Sequence, residues 1–305
     1  MTAFKTGLVQ CPVTPFKRDQ ASDYDTYGKL LEFHLRNGAD AIALPTPEGE
    51  DLSLTDGEQQ SLVEFAIKKV NGRVPVIAHV SDAGTAIAVE RARHAEKAGA
   101  SAIVSHPPYF WHPKPAMVFH HLVEIGSAVK LPFLVYTPPV ESVGTTISAE
   151  QVLQLIERLD NFCGLVDCQM DFVFMEELIP GAKARRADFQ FISGADYMVP
   201  PGVLGGTGAF SSLASVAPKL VRQVYDLCAK QDFIEARGGQ EQLGALRQIV
   251  KKPRLETGLK AALRAMGREC GAPRPPSKAL GEVESGAVSE VLSGLTFLRA
   301  EPRGL

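Results

Sequence analysis

Two stretches of this sequence follow one pattern: Asn37-Gly38-Ala39-Asp40-Ala41-Ile42 and Ala98-Gly99-Ala100-Ser101-Ala102-Ile103. In each, a helical pattern stops at a glycine and a short apolar run follows at once. Glycine ends helices because it adopts the left-handed backbone conformation without a steric penalty. A helix that leads directly into a buried strand, and does so more than once, is typical of a parallel sheet with helical connections.

Eight β-rich runs alternate with helical patterns across residues 7–230. The predicted strands are residues 7–13, 41–44, 74–80, 102–105, 133–136, 162–166, 189–192 and 208–211. The clearest helix between them covers residues 85–98, where Ala88, Ala92 and Ala95 form one apolar stripe. Strands that alternate with helices predict an α/β fold, and eight such units predict a (β/α)8 TIM barrel.

The chain continues well beyond the eighth strand. Residues 233–250, 254–268 and 285–299 follow helical patterns, and no Gly/Ser-rich linker separates them from the barrel. Barrels of this type need about 250 residues, so a chain of 305 residues leaves room for an additional layer. We therefore predict a single domain over residues 1–305, with the barrel at 7–230 and additional C-terminal helices, as a helical layer, at 231–305.

The composition excludes several classes of partner. The net charge of −3 gives no reason to expect nucleic-acid binding. The longest apolar runs fall well short of the ~20 residues that a transmembrane helix needs, and residues 1–7 lack the apolar core of a signal peptide. Five cysteines without CxxC spacing suggest free thiols in a reducing compartment. We expect a cytoplasmic protein with a small-molecule substrate, binding neither nucleic acid nor membrane.

Polar residues are concentrated where the predicted strands end. In this fold, catalytic residues lie at the carboxyl ends of the strands and in the loops that follow them. The residues singled out at these ends are Glu48, Gly49, His79, His106, Tyr136, Val166, Asp167, Gly194 and Ser211. We predict that the active site is built from this set.

Several short motifs resemble one known family. They are Val13-Thr14-Pro15-Phe16, Pro107-Pro108-Tyr109, Leu131-Pro132-Phe133-Leu134-Val135-Tyr136 and Ile192-Ser193-Gly194. In this order and spacing, the sequence resembles the dihydrodipicolinate synthase/N-acetylneuraminate lyase family of class I aldolases. The resemblance implies a lyase that acts on a 2-keto acid, a hydroxyl at Tyr136 that relays protons, and a homo-oligomer, either a dimer or a tetramer.

The chemistry of that family depends on a lysine that this sequence lacks at the matching place. The family forms a Schiff base with its keto acid through a lysine near the end of strand six, where this sequence has Val166. Valine has no amine to form the adduct. The family's G-T-T-G-E loop, which binds the substrate carboxylate, has Pro47 and Glu48 here in place of groups that donate hydrogen bonds. The family's second tyrosine is Phe110, and its arginine after strand five is missing, with Glu141 the nearest residue of note.

His79 and His106 end neighbouring predicted strands, three and four. Parallel neighbours lie about 4.8 Å apart, so the two rings are placed to converge. Either ring is suited to acid–base chemistry without a metal, and on that basis we predict no cofactor. With Asp167, and with Glu48 on the same rim, they form an alternative set of ligands for Zn²⁺ or another divalent ion. A structural role, with each histidine bonded to a neighbour and Asp167 capping a loop, is the other alternative.

These features predict a lyase-like enzyme that acts on a small keto-acid-like or oxygenated substrate by a lysine-independent mechanism. Tyr136 moves a proton, one or both histidines polarise or deprotonate the substrate, and the other rim residues bind it. The acidic rim favours a substrate that is neutral, cationic or bridged by a metal; its members are Glu48, Glu50, Glu141 and Asp167. The alternative is a catalytically silent homologue that binds a small ligand or regulates a partner.

Overall fold

The structure is a computed structural model that describes residues 4–139 and 144–305. Its parallel strands close into a barrel in chain order, and the last strand pairs with the first. The strands are β1 Leu8–Gln10, β2 Ala41–Leu44, β3 Val76–His79, β4 Ala102–Ser105, β5 Phe133–Thr137, β6 Phe162–Asp167, β7 Gln190–Ser193 and β8 Gly208–Ser211. The predicted (β/α)8 barrel is confirmed.

The strand bounds differ from the predicted ones most clearly next to prolines. β1 ends at Gln10 rather than at residue 13, and Pro12 has no N–H to donate to a ladder. β3 begins at Val76, directly after Pro75, rather than at residue 74. The predicted strands 41–44, 102–105 and 208–211 have the observed bounds.

Helices connect the strands and cover the outside of the barrel. They are α1 Tyr24–Arg36, α2 Asp56–Val70, α3 Thr85–Ala98, α4 Pro115–Ser127, α5 Ala149–Arg158, α6 Phe172–Arg185, α7 Val199–Val203 and α8 Pro218–Ala229. α3 ends at Gly99, whose φ of 93° is the left-handed conformation that the repeated glycine pattern predicts. Gly38, the matching glycine after α1, has a φ of 82°. Both glycines therefore end their helices in the conformation that the sequence predicts.

Apolar side chains fill the inside of the barrel. This interior cluster includes Val9, Ala43, Ile77, Val104, Leu134, Val166, Ile192 and Phe210. Near the carboxyl ends of the strands it continues into Tyr136 and Cys168, which bring the first polar atoms. Because close-packed interiors hold side chains in fixed rotamers, the cluster sets the directions of the residues at the barrel mouth.

The C-terminal helices pack against the barrel. They are α9 Phe233–Lys251, α10 Leu255–Ala265 and α11 Glu282–Gly294, and the predicted helix at 285–299 is divided between α11 and a short 3-10 helix at Thr296–Ala300. Barrel and C-terminal residues share one apolar cluster, among them Leu8, Leu30, Leu213, Leu243, Leu246, Leu259 and Leu263. Within the described ranges, every helix is too short or too polar to cross a membrane. All five cysteines are free.

Candidate active site

His79 and His106 converge at the barrel mouth, as their placement on neighbouring strands predicts. His79 is the last residue of β3, and His106 follows the last residue of β4. The ring centroids lie 5.4 Å apart, at an interplanar angle of 56°. Both side chains are buried, at 3% and 4% exposure. Burial lowers the pKa of His79 and lowers the pKa of His106 to about 4, so both rings are held neutral.

Ser81 orients both histidines. Its Oγ lies 2.9 Å from Nε2 of His79 and accepts the backbone N–H of His106 at 2.9 Å. The other ring, that of His106, is held through Nδ1, which lies 2.8 Å from the carbonyl oxygen of Pro107. A carbonyl oxygen only accepts, so His106 carries its proton on Nδ1 and keeps a lone pair on Nε2. Ser81 was not among the predicted site residues, although it follows the end of β3 by only two positions.

Asp51 is a third member of this group, and the sequence did not point to it. It lies on a short 3-10 helix, Asp51–Ser53, in the loop after β2. Its Oδ2 is 3.5 Å from Nδ1 of His79. Its side chain is buried, and burial raises the pKa of the carboxyl to about 7. The only available signal was its position at the end of the acidic run that begins at Glu48.

The structure corrects the expected partnership of Asp167 with the two histidines. Asp167 ends β6 and uses its carboxylate locally: Thr137 Oγ1 donates to it at 3.0 Å, and the backbone N–H groups of Gln169 and Met170 donate at 3.3 and 3.2 Å. It caps the loop after β6, which is the structural alternative. In the described part of the chain, the carboxylate whose oxygen groups with His79 and His106 is that of Asp51.

Tyr136 and Val166 lie side by side on β5 and β6. The strand register pairs the two residues directly. Val166 is fully buried and Tyr136 is 6% exposed. The hydroxyl of Tyr136 accepts a hydrogen bond from the thiol of Cys168 at 3.0 Å, and its ring meets that of His79 edge-on with centroids 6.3 Å apart. Burial raises the pKa of Tyr136 well above its usual value, so the hydroxyl keeps its proton.

The two glycines of the predicted site are needed for close backbone approach. The carbonyl oxygen of Gly49 accepts the Thr14 hydroxyl at 2.6 Å. Gly194 donates its N–H to the carbonyl oxygen of Asp167 at 2.7 Å, and a Cβ at this position would lie only 2.8 Å from that same oxygen. Both residues therefore shape the rim through their backbones.

Ser211 and Glu48 are buried at the same rim. Ser211 donates to the carboxylate of Asp196 and accepts the N–H of Ala214 at 3.1 Å, so its hydroxyl has partners within the protein. Burial raises the pKa of Glu48, and the positive charge of Arg247 opposes that rise. Arg247 likewise opposes the effect of burial on Asp196, whose pKa is raised to about 6.

The rim is less acidic than the sequence suggested. Glu50 is paired with Lys260 at 2.6 Å and accepts the backbone N–H of Arg274 at 2.7 Å, so its charge is neutralised within the fold. The partly buried Arg247, on α9, adds a cation that was not predicted. Glu141 lies outside the described residues. Glu50 and Glu48, two of the four acids from which a neutral or cationic substrate was predicted, are thus offset by Lys260 and Arg247.

Lys260 is the buried lysine of the described residues, while Lys17 and Lys114 lie in loops that follow β1 and β4. All fifteen lysines of the sequence fall within the described ranges, and Lys260 is the buried one. Its Nζ pairs with Glu50, donates to the carbonyl oxygen of Ala272 at 3.2 Å and lies 4.3 Å from the centre of the Phe16 ring. The amine therefore has an ion pair, a hydrogen bond and an aromatic face as partners within the fold.

The closed barrel defines a (β/α)8-barrel protein, and buried acids, histidines and a tyrosine lie at the carboxyl ends of its strands, where this fold usually has its active site. The chain belongs to the dihydrodipicolinate synthetase family, whose model matches residues 4–295. The expected family resemblance is confirmed at this level.

Curated relatives match over nearly the whole chain. The 4-hydroxy-tetrahydrodipicolinate synthase of Thermoanaerobacter sp. (strain X514) is 30% identical over 300 residues, covering 98% of this chain and 99% of that protein. The enzyme of the same name from Acetivibrio thermocellus is 33% identical over 275 residues, covering 89% and 90%.

Solved structures agree with the fold. Dihydrodipicolinate synthase from Aquifex aeolicus has a TM-score of 0.90 at 26% identity, covering 96% of this chain and 99% of that one. YagE, a prophage protein of the dihydrodipicolinic acid synthase family from E. coli K12 that was solved in complex with pyruvate, has a TM-score of 0.91 at 24% identity, covering 97% and 100%. At that identity the likeness to YagE shows the fold alone.

Proposed function

We propose that this chain is a lyase that acts on a small keto-acid-like or oxygenated substrate by a lysine-independent mechanism. The observation that carries the proposal is the pairing of Val166 with Tyr136 near the ends of β6 and β5, with the ring of Tyr136 6.3 Å from that of His79 between centroids. A residue without an amine stands beside the tyrosine, where the resemblance implies a Schiff-base lysine. Lys260, the buried lysine, is held by Glu50 and does not replace it.

The proposed roles follow from chemistry and position. Tyr136 keeps its proton and is suited to deliver it to a developing oxyanion or carbanion. His79 and His106 present neutral rings to the same space, where they polarise a carbonyl or accept a proton from the adjacent carbon. The rim residues around them form the substrate pocket of this proposal; they are Glu48, Gly49, Val166, Asp167, Gly194 and Ser211.

Arg247 supports a substrate that carries a carboxylate. Burial raises the pKa values of Glu48 and Asp196, and the positive charge of Arg247 opposes both rises. Gln240, on the same helix α9, donates to the carbonyl oxygen of Asp196 at 2.8 Å and so holds this helix against the rim. A guanidinium recognises a carboxylate through two parallel hydrogen bonds. A small 2-keto acid, the substrate class that the family resemblance implies, fits this combination better than the cationic substrate suggested by the sequence alone.

The assembly proposed with this function is a homo-oligomer, either a dimer or a tetramer. The aromatic loop after β4 supports it, because Phe110 is 94% exposed and Trp111 is 43% exposed in the single chain. Exposed aromatic side chains are enriched in interfaces between subunits. The partners proposed for this chain are otherwise limited to the small-molecule substrate.

The first test asks whether a Schiff base forms. The protein is incubated with pyruvate and sodium borohydride, and its intact mass is measured beside that of the Acetivibrio thermocellus relative. We expect no added mass on this chain, because an imine requires an available amine. A stable adduct mapped by peptide analysis to any lysine, Lys260 included, would overturn the lysine-independent mechanism.

A second measurement separates the enzyme from a silent homologue. Pyruvate is incubated in D₂O, and loss of its methyl proton signal reports removal of a C3 proton and its replacement by deuterium. We expect the wild type to accelerate the exchange, and Tyr136→Phe or His79→Asn to slow it by ~10²–10⁴-fold. His94→Asn, at a surface histidine paired with Glu64, is the matched control and should keep the wild-type rate. Saturable pyruvate binding without exchange would favour the silent homologue.

A further inference from the structure

Three side chains of the kind that bind metals lie together between the loop after β2 and the ends of β3 and β4. Asp51, His79 and His106 each offer one ligand atom, and these atoms lie within 4.8 Å of one another. All three side chains are buried. A buried cluster of two imidazoles and one carboxylate differs from the exposed acidic groups that are common on protein surfaces.

In each of the two histidines, a hydrogen bond to a neighbouring residue occupies one ring nitrogen and leaves the other nitrogen for a ligand. His79 is held at Nε2 by Ser81, which leaves Nδ1 facing the carboxylate of Asp51. His106 is held at Nδ1 by the carbonyl oxygen of Pro107, which leaves the lone pair of Nε2 unused. Metal-binding histidines are held in this way, since an outer acceptor fixes the tautomer and the ring orientation.

The distance between His79 and Asp51 also fits a shared ion. Their closest approach, 3.5 Å from Nδ1 to Oδ2, is longer than a hydrogen bond. Two ligands at about 2.0–2.2 Å from a tetrahedral ion lie roughly 3.3–3.5 Å apart. The separation between these two atoms is therefore compatible with an ion between them. The three ligand atoms lie within 4.8 Å of one another, so His106 needs a shift of about 1.5 Å at most to complete the set.

Arg91 is a cation whose charge reaches this cluster: burial raises the pKa of Asp51 and the charge of Arg91 opposes that rise, and the same charge adds to the effect of burial in lowering the pKa of His79. Arg91 donates to the carbonyl oxygen of Ser81, and its guanidinium lies 3.0 Å from the carboxylate of Asp82 and also pairs with Asp56. Its charge is therefore compensated by two carboxylates outside the cluster. The direct contacts of its guanidinium are thus with groups outside the cluster, and the carboxylate of Asp51 faces His79.

We propose that Asp51, His79 and His106 form a site for a divalent transition metal of the Zn²⁺ type. Three protein ligands leave at least one position for water or for a substrate oxygen, which is the arrangement of catalytic rather than structural sites. The ring of Tyr136 meets that of His79 edge-on, with centroids 6.3 Å apart. The inference rests on the proposed function for its role. With an ion bound, the two histidines would hold it instead of accepting protons themselves, and the ion would supply the polarisation of the keto acid's carbonyl that the proposal otherwise gives to the rings.

The test is a titration of the protein, stripped with chelator and dialysed, with Co²⁺ followed by its visible absorption. We expect one equivalent to bind and Zn²⁺ to displace it. Asp51→Asn, His79→Asn and His106→Asn should each abolish saturable binding in proteins whose circular dichroism is unchanged. His94→Asn and Glu64→Gln, which remove the exposed histidine–carboxylate pair, should bind as the wild type does.

Ser81→Ala keeps all three ligands and provides a second variant in case the ligand substitutions disturb folding. Loss of an outer hydrogen bond weakens metal affinity 10–100-fold, so we expect the Co²⁺ dissociation constant to rise by about that factor. The proposal is overturned if the wild type binds no stoichiometric Co²⁺, or if binding persists in the ligand variants. Because no substrate is present, that result would leave the pyruvate experiments above to decide the proposed function separately.

Discussion

Val166 is the single residue on which the proposed mechanism depends most. It is fully buried in the barrel interior, in the same cluster as Cys168 and Ile192. A lysine at a wet rim position could extend its amine into water, but this position is enclosed. An amine placed there loses its hydration, which favours its neutral form and destabilises the fold.

We therefore predict that Val166→Lys creates no dihydrodipicolinate synthase activity and lowers stability. The amine would lie beside Tyr136, but the loop that orients the keto acid in the family has Pro47 and Glu48 here, so orientation is lost. Chemical denaturation should show a loss of roughly 2–5 kcal/mol beyond that of Val166→Met, the uncharged control of similar length. Pyruvate condensation at the rate of the Acetivibrio thermocellus relative would show that the site is far less altered than proposed.

At the scale of residues, the sequence was informative about side chains at the ends of strands. The convergence of His79, His106 and Tyr136 was predictable in this way, because the end of a parallel strand fixes which rim a side chain reaches. Asp51 and Arg247 were not found. Their positions depend on the path of a loop and on the packing of a distant helix, and neither produces a local pattern.

The loop after β4 carries Phe110, the most exposed large apolar side chain of the described residues. Phe110 has a φ of 78°, a conformation that is unusual for a bulky residue, and its ring is almost wholly exposed. A contact with a second copy of the chain supplies a reason for this arrangement, because it would bury the ring.

We predict that Phe110→Asp shifts the protein toward monomers. A charge placed in an apolar contact costs its desolvation, and aspartate tolerates the left-handed backbone better than phenylalanine does, so the fold itself should be kept. Sedimentation velocity measures the outcome. Ile234→Asp, at an apolar residue that is 90% exposed on α9, is the matched control and should leave the assembly unchanged. A monomeric wild type, or equal behaviour of the two variants, would contradict the proposed role of the loop.

At the scale of elements, the alternation of strand and helix was predictable because it is encoded locally. The end of α3 at Gly99 and the apolar stripe along α3 can both be predicted from neighbouring residues in the sequence, without knowledge of tertiary contacts. The exact strand ends were less predictable, since hydrogen bonding to a neighbour decides whether a residue such as Val13 joins the ladder. No local sequence pattern predicts the path of the loop from Pro47 to Ser53. Its two short 3-10 helices bring Asp51 to the histidines.

The whole molecule joins its barrel and its C-terminal layer through one buried junction. Arg268, fully buried, stacks on the ring of Phe33 with its guanidinium carbon 4.1 Å from the ring centre and donates to the carbonyl oxygen of Ser215 at 3.1 Å. His34 lies in the same place, with Nδ1 2.6 Å from the side-chain oxygen of Gln10 on β1. This junction supports the proposal that residues 1–305 form a single domain.

The junction also predicts how stability depends on pH. Burial, reinforced by the charge of Arg268, lowers the pKa of His34 from 6.5 to about 3. Below pH 6.5 the unfolded chain takes up a proton that the folded chain refuses until about pH 3. Stability is therefore fully present above pH 6.5 and is lost progressively as the pH falls toward 3.

From pH 7 to pH 5, this one histidine should cost about 2 kcal/mol of unfolding free energy. His34→Gln removes the titration while keeping a side chain that can hydrogen-bond Gln10, so the pH dependence of the variant should be shallower than that of the wild type by that amount. His106 and His121, whose pKa values burial also lowers to about 4, titrate in both proteins and cancel in the comparison. Urea denaturation at both pH values measures the difference, and equal slopes in the two proteins would show that His34 is protonated as readily in the fold as outside it.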